Sequence, residues 1–380
     1  MNRSRAFAKT AIITGRTLPH VCGVGDYSVN LASHLYREVG LSAKLLVEQG
    51  CDSATEPFHI LPYVDNWSQN GLDKLLDLLE SEKIQTVILQ YTPWLYSPKG
   101  FNLELARFWQ QCSQRFQTLL IAHETYSWFI KYPGTWLLGI WQQYVLRHLV
   151  RSSHHVFCGS EVYLQRLKRF SQADQKFHYL PIPSNIPLES ISTEQREVLR
   201  QSLGIEKSQA VLALFGCRGS VWQDWVLRLD QGLKNSTYSV VWLLLGSAQS
   251  VQTANQNSVL RFKYLSQRDL SHYLQISNLF LMPHEFGLSA KRTSLMSALE
   301  HGLPVVGTDG NLTDPFLRQL PSVSLVEDGN YSAFEQSVLT ALECLPEMHR
   351  SAQDSQAYYY KHLDWSVVIQ TLLPYLQSRA

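Results

Sequence analysis

The run 279–310, LFLMPHEFGLSAKRTSLMSALEHGLPVVGTDG, holds the residues of this chain best suited to chemistry. An apolar segment, Leu279–Met282, stops at Pro283. A short polar loop containing Gly287 follows, and Lys291 and Arg292 then stand side by side where a helical pattern begins. A helix start already offers unpaired N–H groups and the positive end of its dipole, so two cations there repel it unless an anion sits between them. A diphosphate suits such a pair, with the Thr293 and Ser294 hydroxyls as further donors. The competing reading of the same residues is a solvated basic helix end.

A second stretch, Gly15 to Ser28, places Gly23 and Gly25 ahead of another helical pattern, where small residues let backbone approach a ligand. With Glu48 closing the second strand pattern, Gly-x-Gly-x-x-Ser is a partial dinucleotide fingerprint. However, Gly23 comes eight positions after Gly15, and the third glycine is absent. A glycine pair serving helix–strand packing is the alternative. His123 falls at the carboxyl end of a buried strand pattern, the edge at which open α/β sheets bind ligands. Tyr91, Trp94 and Tyr96 follow another strand end, where they form either an aromatic acceptor wall or a packed loop. The segment WFIKYPGTWLLGIWQQYVLRHL, 128–149, is aromatic, apolar and mildly basic. It fits a helix packed under a sheet, the favoured reading, with one lying in a membrane interface as the alternative.

Positioning these groups requires a particular scaffold. Short β-branched apolar runs alternate with amphipathic ones: 11–15, 43–48, 59–64, 86–92, 118–124 and 155–160, separated by helical patterns such as 27–39, 71–81 and 103–115. This alternation predicts a parallel sheet covered by helices. The stretch 181–196, PIPSNIPLESISTEQR, breaks the pattern and reads as a linker. The alternation restarts with runs at 211–217, 239–246, 260–265, 278–283, 304–308 and 323–326, which predicts a second doubly wound domain. Residues 364–377 carry a final amphipathic helix, capped by Asp364 or Ser366.

Composition narrows the function classes. At 380 residues the chain is sized for two domains, and with 45% hydrophobic residues it is an ordinary globular sequence. A net charge of +1 without a basic block provides no nucleic-acid footprint. The six cysteines are scattered, which fits buried thiols in a reducing compartment rather than zinc ligands or disulfides. No apolar run approaches a signal segment or a membrane span, so a cytoplasmic protein is expected, with peripheral contact at the inner face of the membrane as an option.

Several blocks in order, CGVGDYSVNLASHL, Ala122-His123-Glu124, Phe157-Cys158-Gly159-Ser160, Tyr179–Pro183, GLSAKRTSLMSALEHGLPVV and Asp364-Trp365-Ser366, make the chain resemble retaining GT-B glycosyltransferases of the family 4 type. The resemblance implies an α/β fold of two Rossmann-like doubly wound domains facing across a cleft. Residues 1–185 would bind the acceptor, 186–362 the nucleotide-sugar, and 363–380 would form a helix crossing back to the first domain. It implies a metal-independent hexosyl transfer from a nucleotide-sugar to a glycan or lipid-linked acceptor in polysaccharide or glycoconjugate synthesis, with no cofactor.

On this resemblance His123, Arg218, Lys291 and Arg292 are the catalytic set. Gly23, Gly25, Glu285, Gly287, Leu288, Ser289, Thr293, Ser294 and Glu300 contact the donor, the amides around Gly287–Ser289 serving the sugar or its phosphate and Glu300 the ribose. Glu300 equally reads as a solvent-facing helix residue. Tyr91, Trp94 and Glu124 contact the acceptor. The sequence departs from the family in more than one respect: His284 and Ser297 occupy the places of its paired glutamates. In addition, Gln223 or Asp224 stands where a lysine is expected after Arg218. This variant pattern also fits an inactive nucleotide-sugar-binding homologue. A third reading, a Rossmann oxidoreductase, would use Gly23, Gly25 and Glu48.

Overall fold

A computed structural model describes residues 7–127, 135–216, 220–234, 237–254 and 259–377. The chain forms two compact units, one of Met1–Pro181 with Trp365–Ala380 and one of Ile182–Asp364.

In the first unit the elements run β1 (Thr10–Ile13), α1 (Gly23–Val39), β2 (Lys44–Glu48), β3 (His59–Val64), α2 (Gln69–Ser81), β4 (Thr86–Tyr91), α3 (Leu103–Arg115), β5 (Gln117–Ala122), α4 (Thr135–Ser152), β6 (His155–Cys158), α5 (Glu161–Lys168) and β7 (Phe177–Tyr179). Their sheet is parallel throughout, in the order β3-β2-β1-β4-β5-β6-β7. The central strands are buried on both faces, which is why they read as unbroken apolar runs rather than alternating ones. Strand β7 has no counterpart among the sequence runs, since three residues with a central His178 carry no apolar signal. Helix α1 also begins earlier than its apolar periodicity, so both glycines lie in its first turn.

The second unit contains α6 (Thr193–Ser202), β8 (Ala210–Phe215), α7 (Ser220–Lys234), β9 (Val240–Leu245), β10 (Val259–Phe262), α8 (Gln267–Gln275), β11 (Leu279–Met282), α9 (Thr293–Glu300), β12 (Val305–Asp309), β13 (Val323–Glu327), α10 (Tyr331–Glu343) and α11 (Leu345–His362). This sheet is parallel too, ordered β10-β9-β8-β11-β12-β13.

The expected linker is more structured than its composition suggests. Ser192 and Gln195 make a reciprocal capping box that starts α6, so 193–196 are helical. Upstream, Ile182, Ser184 and Ile186 are buried, and the Glu189 and Ile191 amides donate to Ser271 and Gln275.

The chain ends in the first unit. Helix α12 (Trp365–Leu372) stacks its Trp365 on His34 of α1 at 4.9 Å and tilts it against Tyr27 at 5.2 Å. Further on, Tyr375 packs on His155 and His178, and the Ala8 amide donates to the Leu376 carbonyl at 2.9 Å. Of the cysteines, 51, 112 and 158 are buried, Cys22 is half-buried, and Cys344 is exposed against expectation; Cys217 lies outside the described residues.

Candidate functional site

In the second unit the strand order reverses between β8 and β11, and the crevice beyond the carboxyl ends of such a pair is where open sheets bind ligands. Two segments meet there. Gly216, leaving β8 at φ +73, comes so close to α9 that an added Cβ would lie 3.0 Å from the Ser294 hydroxyl. Arg218, two positions on, lies outside the described residues. The other segment is the loop 283–292 that leads from β11 into α9.

That loop is held by polar side chains from residues 308–328. Thr308 accepts from the His284 amide at 2.8 Å and donates to the His284 carbonyl at 2.6 Å. The Phe286 amide donates to Asp328, and the fully buried Asp314 accepts from the Ala290 amide at 2.7 Å and the Ser289 hydroxyl at 3.2 Å. Gly287, at φ +91, abuts the Gly310 amide and the Thr313 hydroxyl, leaving no room for a side chain. The Gly287 amide is spent on the His284 carbonyl at 3.1 Å and the Leu288 amide on the Thr308 carbonyl at 2.9 Å, while the Leu288 side chain is core. These two amides therefore shape the loop, which corrects their expected use on a sugar or phosphate.

What the loop delivers is the helix start. Arg292 is the N-cap residue of α9, and its side chain makes no capping hydrogen bond. Lys291 and Arg292 thus flank the first-turn amides of α9. Their field reaches His284. Burial first, then Arg292 and later Lys291, push its imidazole down to about 4, against a weaker pull from the Glu285 carbonyl. His284 is accordingly neutral near pH 7, its Nδ1 2.7 Å from that carbonyl. The Glu285 side chain is exposed, Thr293 is half-buried and Ser294 is buried.

Glu300, one helix length away, is buried, which rules out the solvent-facing reading. Its Oε1 accepts from the Leu188 amide at 3.2 Å, while Oε2 has no hydrogen-bond partner among the described residues. Burial, aided by Asp364, raises this carboxyl to about 7 against the opposing pull of Ser184 and Leu188. Ser297, at the place of the family's second glutamate, is fully buried; it donates to the Thr293 carbonyl and shares a 2.9 Å hydrogen bond with Ser184.

In the first unit the corresponding reversal, between β1 and β4, is filled by protein. An added Cβ at Gly15 would meet Leu95 at 2.7 Å, and the buried Tyr96 hydroxyl donates to the Gln90 carbonyl. Gly25 packs against the Arg16 carbonyl, and its amide donates to Cys22 Sγ at 3.4 Å, whereas nothing approaches the Cβ position of Gly23. Glu48 is held by Arg16 Nε at 2.8 Å and by Trp67 Nε1 at 2.5 Å. Gly25 and Glu48 are thus taken up by packing and ion pairing, which removes the support for the oxidoreductase reading. His123 is half-buried, with Nε2 2.7 Å from Gln90 Oε1 and its ring edge-on to Tyr27 at 4.8 Å. Tyr91 is buried and stacked with Tyr96, so it belongs to a packed loop rather than an open wall. Trp94 and Glu124 are exposed.

Sequence reasoning missed Thr308, which lies within the strand β12, Asp314 and Asp328, whose only signal is a polar loop composition, and Gln90. The signal for Gln90 was present, as a lone amide in the otherwise apolar strand TVILQY. Among the described residues no group of three or more His, Cys, Asp and Glu could hold a metal ion, and no helix is long and apolar enough to cross a membrane.

Two parallel, doubly wound Rossmann-like domains in series are the GT-B fold class. No protein-family profile and no curated protein sequence matches the chain. Solved structures do. WaaG, a glycosyltransferase involved in lipopolysaccharide biosynthesis, is 13% identical with a TM-score of 0.68, over 97% of this chain and 100% of that one. HepE from Anabaena, solved in complex with UDP, is 15% identical with a TM-score of 0.68, over 97% and 99%. A UDP-N-acetylglucosamine 2-epimerase is 11% identical with a TM-score of 0.59, over 97% of each chain. At these identities the likeness shows the fold, and a fold that carries both transferases and an epimerase does not itself choose a reaction.

Proposed function

We propose that this protein is a glycosyltransferase that binds the diphosphate of a nucleotide-sugar at the start of α9 and passes the sugar to an acceptor hydroxyl with retention. The observation that carries the reading is the Lys291–Arg292 pair at a helix start on the ligand-binding edge of the second unit. During transfer the bond from the anomeric carbon to the diphosphate oxygen breaks and charge grows on the leaving group. Fixed cations and first-turn amides stabilise that charge without reorganising, and no metal is required of them. UDP bound in HepE, and the UDP-N-acetylglucosamine on which the epimerase acts, support a uridine nucleotide as donor. An acceptor in polysaccharide or glycoconjugate assembly follows the family resemblance and the part that WaaG takes in lipopolysaccharide biosynthesis.

A thermal-shift panel of UDP-, GDP- and ADP-sugars, followed by sugar release or transfer, tests this. Lys291→Ala and Arg292→Ala should each weaken diphosphate binding roughly ten- to hundredfold, the range of one lost charge-assisted contact. Unchanged affinity in both variants would refute the site. A second reading, a nucleotide-sugar-binding homologue without turnover, is favoured by the buried Ser297 and neutral His284 standing where the family has carboxylates. Binding with no release or transfer would select it.

A further inference from the structure

Helix α4 is built the wrong way round for a water-facing helix. Its buried side is ordinary, with Val145, Leu146, Leu149 and Val150 packed inward. Its outer side in the first three turns carries Trp136, Leu137, Ile140, Trp141 and Tyr144 at helical spacing. These five side chains, with Trp94, are each 45% to 58% exposed. The patch is continuous rather than scattered. Trp141 stacks on Phe101 at 5.8 Å and meets Tyr144 edge-on at 6.2 Å, while the Trp94 ring packs against Gly100 next to Gln142 of α4. Isolated exposed apolar residues are commonplace, but a contiguous aromatic face marks a binding surface.

Charge identifies the occupant. Residues 135–152 contain Arg147, His148 and Arg151 and no Asp or Glu, and exposed Lys99 precedes Gly100 beside Trp94. Trp and Tyr favour the headgroup level, where the ring body is apolar and its polar edge stays wet, and flanking cations favour anionic headgroups. The same helix of a second copy would offer Arg147 and Arg151 no carboxylate, so self-association is the poorer match. We propose that this face, formed by α4 and the loop around Trp94 and Phe101, docks on the interface of an anionic lipid bilayer, with the aromatic stripe entering the headgroup layer and Arg147, Arg151 and Lys99 meeting lipid phosphates.

The full chain is sedimented with vesicles of phosphatidylcholine alone and of phosphatidylcholine with phosphatidylglycerol, at low and high salt. It should bind the anionic vesicles more tightly, with binding weakened by salt and a blue-shifted tryptophan emission. Ile140→Ser/Trp141→Ser should lower partitioning at least roughly tenfold. Arg147→Gln and Arg151→Gln should each lower it roughly fivefold on anionic vesicles only. Circular dichroism and thermal melting of the variants should match the parent, because the altered side chains are at the surface. No vesicle binding by the parent, or binding that survives Ile140→Ser/Trp141→Ser, overturns the proposal. So does a dimer in sedimentation equilibrium that the same substitutions dissociate without any vesicle binding.

Discussion

Glu300→Gln is the substitution whose outcome can be worked through most fully. Glu300 is buried, one carboxylate oxygen accepts from the Leu188 amide, and the other has no hydrogen-bond partner among the described residues. Its carboxyl is raised from an ordinary 4.5 to about 7, chiefly by burial. Below pH 4.5 the group is protonated in folded and unfolded chains alike, and the site costs nothing. Between pH 4.5 and 7 the folded chain keeps a proton that the unfolded chain has lost, so stability falls by about 1.4 kcal/mol per pH unit. Above pH 7 the loss is complete, at about 3 kcal/mol. Glutamine retains an acceptor for the Leu188 amide and never ionises. The variant should therefore be more stable than the parent at pH 8, by up to about 3 kcal/mol less the burial of its NH2 group, with no gain at pH 4.5. Urea denaturation followed by circular dichroism across pH 4.5–8.5 measures the difference. A gain of equal size at both ends, or a loss at pH 8, would refute the assigned burial and protonation. The ribose role implied by the family resemblance predicts something else, a fall in nucleotide affinity. Titrating the variant with UDP separates the two roles.

The cation pair at 291–292 has its test above. Gly287→Ala should destabilise the chain by about 2 kcal/mol or more, since φ +91 disfavours a side chain and Thr313 and Gly310 occupy its space. Nucleotide affinity should fall with it, because the loop sets the start of α9; a melting temperature equal to the parent's would refute the packing argument. Trp365→Ala, which strips the buried ring from His34 and Tyr27, should cost about 3–5 kcal/mol in chemical denaturation. A loss under 1 kcal/mol, on the order of a surface change, would show that α12 is not held there by that ring.

The strand-and-helix alternation was legible because a central parallel strand is buried on both faces and has to be an unbroken apolar run. β4 and β5 announce themselves in this way, while β7, with His178 at its centre, does not. The cation pair was legible because its oddity is local: two charges against a dipole. The fates of the loop amides were not. Gly287 and Leu288 look like ligand donors until Thr308, two strands' worth of chain away, is seen to claim the neighbouring backbone. Glu300 reads as solvent-facing in any helical projection, and the packing of residues 184–188 and of α11 against α9 buries it.

Side-chain type and spacing alone marked every strand but β7 and the two domains they build, and singled out Lys291 and Arg292 as candidate anion ligands, because periodicity and like-charge repulsion act over a few residues. Only the folded chain decided which polar groups remain unspent, because hydrogen bonds and desolvation depend on neighbours brought together from distant positions. That is why Gly25 of α1 turned out to pack against the Arg16 carbonyl and the aromatic stripe of α4 turned outward.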